Sequence, residues 1–163
     1  MKRLAIAFTG PSNSGKTTLI VKISNILQDR GYKVAIIKHD PKDKASFDKE
    51  GKDSFKFSQT GADVAVVSPN KTTLFKKSTS SIDEMIALFG DFDYLLVEGL
   101  KTLDLPRIAI FRDRLDEDYY EVTDAIACDH TINKKDIPFS MKSLDLNDPE
   151  SIIKWIEINA KRV

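Results

Sequence analysis

The sequence predicts a three-layer α/β domain with a mostly parallel sheet and an added β-hairpin. Three observations predict it: short apolar runs without helical gaps, amphipathic stretches between them, and a small-residue loop joining the first run to the first amphipathic stretch. Leu4 to Phe8 is a run of the kind buried on both faces of a parallel sheet. After the loop, Leu19, Ile20, Ile23, Ile26 and Leu27 fall on one helical stripe, and Gly31 is placed to end that helix in a left-handed cap. "KVAII" (33 to 37) is a second buried strand.

From Lys38 to Gly61 apolar residues thin out and charges of both signs crowd together, which predicts a solvated loop with a short polar helix around Asp53 to Gln59. "DVAVVS" and "TTLFK" flank a "PNK" turn and form the hairpin. Ser81 followed by Glu84 is a capping box opening a helix through Ile82, Met85, Ile86 and Phe89, which stops at Gly90. "YLLVEG" (94 to 99), "RIAIF" (107 to 111) and "AIAC" (125 to 128) are further buried strands. Asp148 and Pro149 supply the cap and first position of a final helix through Ile152, Ile153, Ile156 and Ala160, with Lys154 and Lys161 as surface residues on it.

With 163 residues, 41% apolar and 31% charged, the chain has the make-up of one globular domain, residues 1–163. Lys plus Arg equals Asp plus Glu at 25 each, so no net field draws it to nucleic acid or to an acidic membrane face. The single Cys128 has no intrachain partner and reads as a small buried hydrophobe. The amino-terminal apolar stretch has five residues, short of the about seven that a signal peptide needs. No stretch reaches transmembrane length, and the expected location is cytoplasmic.

The loop "GPSNSGKT" is Gly10, four residues, then Gly15, Lys16 and Thr17, the phosphate-binding pattern in full. Small side chains let successive backbone N–H groups turn toward phosphate oxygens, and the helix beginning near Lys16 adds its positive end. Lys16 then reaches the β and γ phosphates, and the Thr17 hydroxyl ligates Mg2+. The fold class is thereby a P-loop NTPase fold. A second acid must hold the metal, and "DYLLVEG" ends in Glu98 and Gly99, where that acid belongs. "VAIIKHD" brings Lys38, His39 and Asp40 to the strand edge where α/β ligands collect.

"NKKD" at Asn133 to Asp136 has the Asn-Lys-x-Asp form that reads guanine, but four residues separate it from "AIAC", and the balance favours a solvated loop. Arg112 and Arg114 could act on a γ phosphate, yet charges in a loop after a strand are more often simply solvated. The alternative to a nucleotide-gated protein is a phosphotransferase on a small acceptor, with Asp40 as base and the two arginines as lid.

"GPSNSGKTTL", "GYKVAIIKHD", "DKEGKDSFKFSQTGAD", "LLVEGLK" and "LDLNDPESI" together resemble the MobB family, the adaptor proteins of molybdopterin-guanine dinucleotide biosynthesis. The resemblance implies a P-loop protein that binds GTP with Mg2+, hydrolyses it weakly and works with the guanylyltransferase MobA, which joins GMP to molybdopterin. It implies that Gly10, Pro11, Ser12, Asn13, Ser14, Gly15, Lys16, Thr17 and Thr18 hold the phosphates, with Gly99 beside them. Thr17 and Glu98 then serve the metal, Asp40 is a further metal or water contact, and Lys16, Asp40 and Glu98 serve hydrolysis. A homodimer and contact with molybdopterin-loaded proteins are also implied. After "KHD" the chain departs from the family's acidic or histidine-rich pattern, reading "PKDKASFD", and no contact is assigned to residues 41 to 47.

Overall fold

The computed structural model describes residues 1–163. Its strands are β1 (Leu4–Thr9), β2 (Val34–Lys38), β3 (Val64–Ser68), β4 (Lys71–Phe75), β5 (Tyr94–Glu98), β6 (Arg107–Phe111), β7 (Ala125–Cys128), β8 (Lys142–Asp145) and β9 (Lys161–Arg162). The α-helices are α1 (Lys16–Asp29), α2 (Asp53–Gln59), α3 (Ile82–Phe89) and α4 (Pro149–Asn159). By contacts the chain divides into two units, one of residues 1–39 with 91–163, the other of residues 40–90.

In the first unit the strands run β2-β5-β1-β6-β7-β8, all parallel, with β9 pairing antiparallel to β1. The chain leaves β1 toward β2 on one side and later fills the other side through β6, β7 and β8, so the strand order reverses at β1. In open α/β sheets ligands gather beyond the carboxyl ends of the strands at such a reversal.

Burial on both faces explains the uninterrupted apolar runs of β1, β5, β6 and β7, whereas β2, expected to be buried, lies at the sheet edge with only Ala35 buried. Ile6 and Phe8 of β1, Leu96 of β5 and Ile108 and Ile110 of β6 pack with Leu19, Ile23 and Leu27 of α1 and with Ile152, Ile153 and Ile156 of α4. On the opposite face, Ala109 and Phe111 of β6 and Ile126 and Cys128 of β7 pack with Ile132 and Ile137. That cover comes from 3-10 turns and loop, not from an α-helix, and Tyr119 meets Phe111 edge-on with ring centroids 5.9 Å apart. Cys128 is buried as expected, and burial pushes its thiol pKa up.

In the second unit β3 and β4 pair antiparallel from Val64↔Phe75 to Ser68↔Lys71, which leaves Pro69 and Asn70 as a two-residue turn. The expected hairpin is present, as a two-stranded sheet of its own. Ser81 Oγ accepts from the Glu84 N–H at 3.2 Å and Glu84 Oε2 accepts from the Ser81 N–H at 2.8 Å, so the capping box of α3 is complete.

One expectation is corrected here. Lys161 is not on the final helix: α4 ends at Asn159, and Lys161 starts β9, where its Nζ donates to Asp104 Oδ2 at 2.6 Å. Ala160 is extended, at ψ 146°, and this turns the chain out of the helix and onto the edge of β1.

Candidate phosphate-binding site

Gly10 leaves β1 at φ 135°, a conformation that other residues adopt rarely. A Cβ there would stand 2.4 Å from the Ile110 carbonyl oxygen, so only glycine lets the loop turn this tightly against β6. The loop ends at Gly15, the N-cap of α1, which carries no side-chain cap. The first N–H groups of α1 therefore keep their hydrogen-bonding capacity for an anion, at the positive end of the helix.

Lys16, the first residue of α1, folds back over the loop and donates from Nζ to the carbonyl oxygens of Gly10 at 3.0 Å and Pro11 at 2.5 Å. Burial lowers its pKa, opposed by the nearby Glu98 carboxylate. Thr17 Oγ1 donates to Glu98 Oε2 at 3.3 Å, and Lys38 Nζ stands 3.8 Å from Glu98 Oε1. The ladder sets this geometry, since Glu98 is paired with Phe8 on one side and with Lys38 on the other. Gly99 follows at φ 90° and gives its N–H to the Phe8 carbonyl at 2.9 Å.

A cleft of about 470 Å³ opens over these groups, lined by Ser12, Asn13, Gly15, Lys16, Thr17, Thr18, Lys38, Glu98 and Arg112. The Thr17 hydroxyl and the Glu98 carboxylate offer one neutral and one anionic oxygen side by side. That donor set fits Mg2+, which keeps waters and substrate phosphates as its remaining ligands instead of an all-protein cage. Bound there, Mg2+ would supply charge neutralisation across the phosphate oxygens. No three His, Cys, Asp or Glu side chains gather into a metal cage anywhere in the chain.

A family model described as molybdopterin guanine dinucleotide synthesis protein B, MobB, matches residues 5–129. The chain belongs to the MobB family. An Escherichia coli relative, the molybdopterin-guanine dinucleotide biosynthesis adapter protein, is 29% identical over 166 residues, covering 93% of each chain. A Methanocaldococcus jannaschii relative is 32% identical over 115 residues, which take in 67% of this chain and 47% of the relative, so the match spans about half of that relative's length. The crystal structure of Bacillus subtilis MobB superposes with a TM-score of 0.76 at 24% identity, covering 96% of this chain and 98% of the other, which shows the shared fold. Membership places the chain among the adapter proteins of molybdopterin-guanine dinucleotide biosynthesis, with a P-loop NTPase-like fold.

Most of the residues expected for a MobB phosphate site stand around this one cleft or in the loop that walls it. Asp40 opens the second unit, where its carboxylate accepts the N–H groups of Lys42 at 3.3 Å and of Lys44 and Ala45 at 2.6 Å, and so shapes the turn after β2. The "NKKD" stretch is exposed, and Asn133 caps its own 3-10 turn by accepting from the Lys135 N–H at 3.1 Å.

Two basic residues border the candidate site. Arg112, which the sequence offered as a cation for a γ phosphate against the more usual solvated charge, lines the cleft with its side chain 42% exposed. Arg107 is 1% exposed, and its guanidinium donates to the carbonyls of Gly99 at 2.8 Å, Leu100 at 2.9 Å and Leu103 at 3.2 Å. It thereby holds the loop that follows Glu98. An arginine opening an apolar strand is the only local hint of that role.

Proposed function

We propose that this protein binds GTP with Mg2+, hydrolyses it slowly, and couples its nucleotide state to a MobA-like guanylyltransferase that joins GMP to molybdopterin. The observation that carries the reading is the convergence on one cleft of the Lys16 ammonium, the uncapped start of α1 and the Thr17–Glu98 pair. Gly10 to Thr18 hold the phosphates and Lys16 meets the terminal ones. Thr17 and Glu98 hold the metal, with Asp40 as a further metal or water contact, and Gly99 lies beside them. Lys16, Asp40 and Glu98 serve hydrolysis.

As an adapter the chain, acting as one domain over residues 1–163, uses its polar segment between Lys38 and Gly61 as the part that orders when γ phosphate and Mg2+ bind. Such ordering is one way for a nucleotide to control a partner's access. Apolar side chains left exposed on the second unit, Phe57, Val67 and Leu74, are suited to a homodimer or to a molybdopterin-loaded partner protein. Zero net charge gives nucleic acid no role in this reading. No helix is long and apolar enough to cross a membrane, and the reading sets the work in the cytoplasm.

A thermal-shift comparison of GTP, ATP and GDP, each with Mg2+, tests the proposal. A ligand at a hundred times its Kd stabilises the folded state by about 2.7 kcal/mol, worth roughly 5 to 10 °C in a chain of this size. GTP is expected to give the largest rise. Equal rises with ATP would remove the guanine assignment, and no rise with any nucleotide would remove the whole reading. A phosphorylated small acceptor formed from labelled GTP at about 1 to 100 per second would assign a kinase instead.

Glu98→Gln keeps the shape of the side chain and removes its charge. Metal titrations of nucleotide binding are expected to shift by on the order of tenfold toward higher Mg2+, while binding measured without Mg2+ changes little. Superimposable Mg2+ titrations of the two proteins would exclude Glu98 as a metal ligand.

A further inference from the structure

Arg112 is the first residue beyond β6, and it stands directly over the phosphate loop. Its guanidinium carbon and Nη2 lie 3.3 Å from the point a Gly15 Cβ would occupy, so the absence of a side chain at Gly15 admits the arginine as well as the turn. The same guanidinium lines the main cleft together with Lys16, Thr17, Lys38 and Glu98. It also walls a second cavity of about 260 Å³, formed with Pro11 to Ser14, Asp113 and Arg114.

The arginine is aimed. Its Nε is 3.5 Å from Asp129 Oδ2 at the carboxyl end of β7, and the same edge of the guanidinium, from Nε through its carbon to Nη2, lies over Gly15. Asp129 is itself fixed: its Oδ1 accepts from the Thr131 hydroxyl at 2.5 Å and from the Thr131 N–H at 3.0 Å. Thr131 Oγ1 in turn accepts from the Asp113 N–H at 2.7 Å, which closes the chain of bonds back onto the residue after Arg112. The Thr131 hydroxyl holds the Asp129 carboxyl below its usual pKa, so the carboxylate that orients Arg112 stays ionised at neutral pH.

We propose that Arg112 is a second cationic ligand of the nucleotide's polyphosphate tail, aimed across Gly15 by the Asp129 carboxylate. The inference rests on the nucleotide reading above and adds to it a named residue outside the phosphate loop. Besides Lys16, the cleft offers Lys38 and Arg112; each stands near a carboxylate, Lys38 at 3.8 Å from Glu98 and Arg112 at 3.5 Å from Asp129, so the head group decides between them. A guanidinium stays charged in such surroundings and presents paired donors that match phosphate oxygens.

The test is calorimetry on the full chain with two probes, a non-hydrolysable GTP analogue and inorganic tripolyphosphate, each with Mg2+. Arg112→Ala is expected to weaken both by about tenfold or more, and Arg112→Lys by less, since it keeps charge but loses the fork. Arg114→Ala removes the same charge nearby and is expected to cost under about twofold if contact, and not the general field, is responsible. Thr131→Val, which unlocks Asp129 without changing any charge, is expected to weaken binding about threefold in the parent chain and not at all in the Arg112→Ala background. If the parent chain binds the GTP analogue and Arg112→Ala binds it equally well, or Arg114→Ala loses as much, the role of Arg112 is overturned while the nucleotide reading stands. If the parent chain binds neither probe, the nucleotide reading falls and takes this inference with it.

Discussion

Lys16→Ala loses triphosphate affinity by on the order of a hundredfold, while its melting temperature stays within a few degrees of the parent. Each charge-assisted hydrogen bond from an ammonium to a phosphate oxygen is worth about 1.5 to 3 kcal/mol, and Lys16 is positioned to make more than one. The fold is spared for a different reason. Nζ is bonded only to the Gly10 and Pro11 carbonyls of its own loop, and burial already lowers its pKa. Removing a cation whose charge is disfavoured by its surroundings offsets much of the loss of those two bonds. Calorimetry with a GTP analogue and a thermal melt together check both halves. Unchanged affinity would mean that the loop does not hold a triphosphate.

Arg107→Ala has its main effect on stability. The side chain starts on β6, passes β1 and reaches three carbonyls in the segment after β5; its loss takes the donor from the Gly99 oxygen, while the Leu100 and Leu103 oxygens keep the N–H groups of Leu103 and Leu105. The loop is also conformationally costly there, because Leu100 holds φ 50° directly after Gly99 at φ 90°. A hydrogen bond from a charged donor is worth about 1.5 to 3 kcal/mol, and with the Gly99 oxygen left unpaired and two further bonds lost a total of about 3 kcal/mol and a fall in melting temperature of roughly 10 °C are expected. Because Glu98 immediately precedes this loop, Mg2+-dependent nucleotide binding should weaken as well. Denaturant titration and thermal melting measure the first effect. A fall of under about 2 °C would show that the guanidinium is not what fixes the loop.

The elements legible in the sequence are those whose cause is local. Ser81 and Glu84 make a capping box by themselves, Asp148 and Pro149 specify a helix start, and the runs at 4–8, 94–98 and 107–111 announce buried strands because nothing polar interrupts them. The phosphate loop belongs to the same class, since its spacing is its mechanism. What escaped reading depends on distant residues. β8 has only Leu144 buried and β9 is two residues long, so neither carries a pattern of its own, and both exist because a neighbouring strand offers an edge. Arg107 and Arg112 look alike in sequence, as basic residues bordering one strand. The side chain at the amino end enters the interior and the one past the carboxyl end faces the cleft, a difference that only the assembled sheet creates.

The pairing of Phe8 with Glu98 and of Glu98 with Lys38 has a consequence for how this centre can be tuned. A strand shifts against its neighbours only by whole residues, about 3.3 Å each, and every odd step turns side chains to the opposite surface. The spacing between acid and cradle is thus quantised, closed to gradual drift. Fine adjustment of the Thr17–Glu98 spacing has to come from the rotamer of Thr17 or a tilt of α1, and a one-residue insertion within β5 would turn Glu98 to the opposite surface.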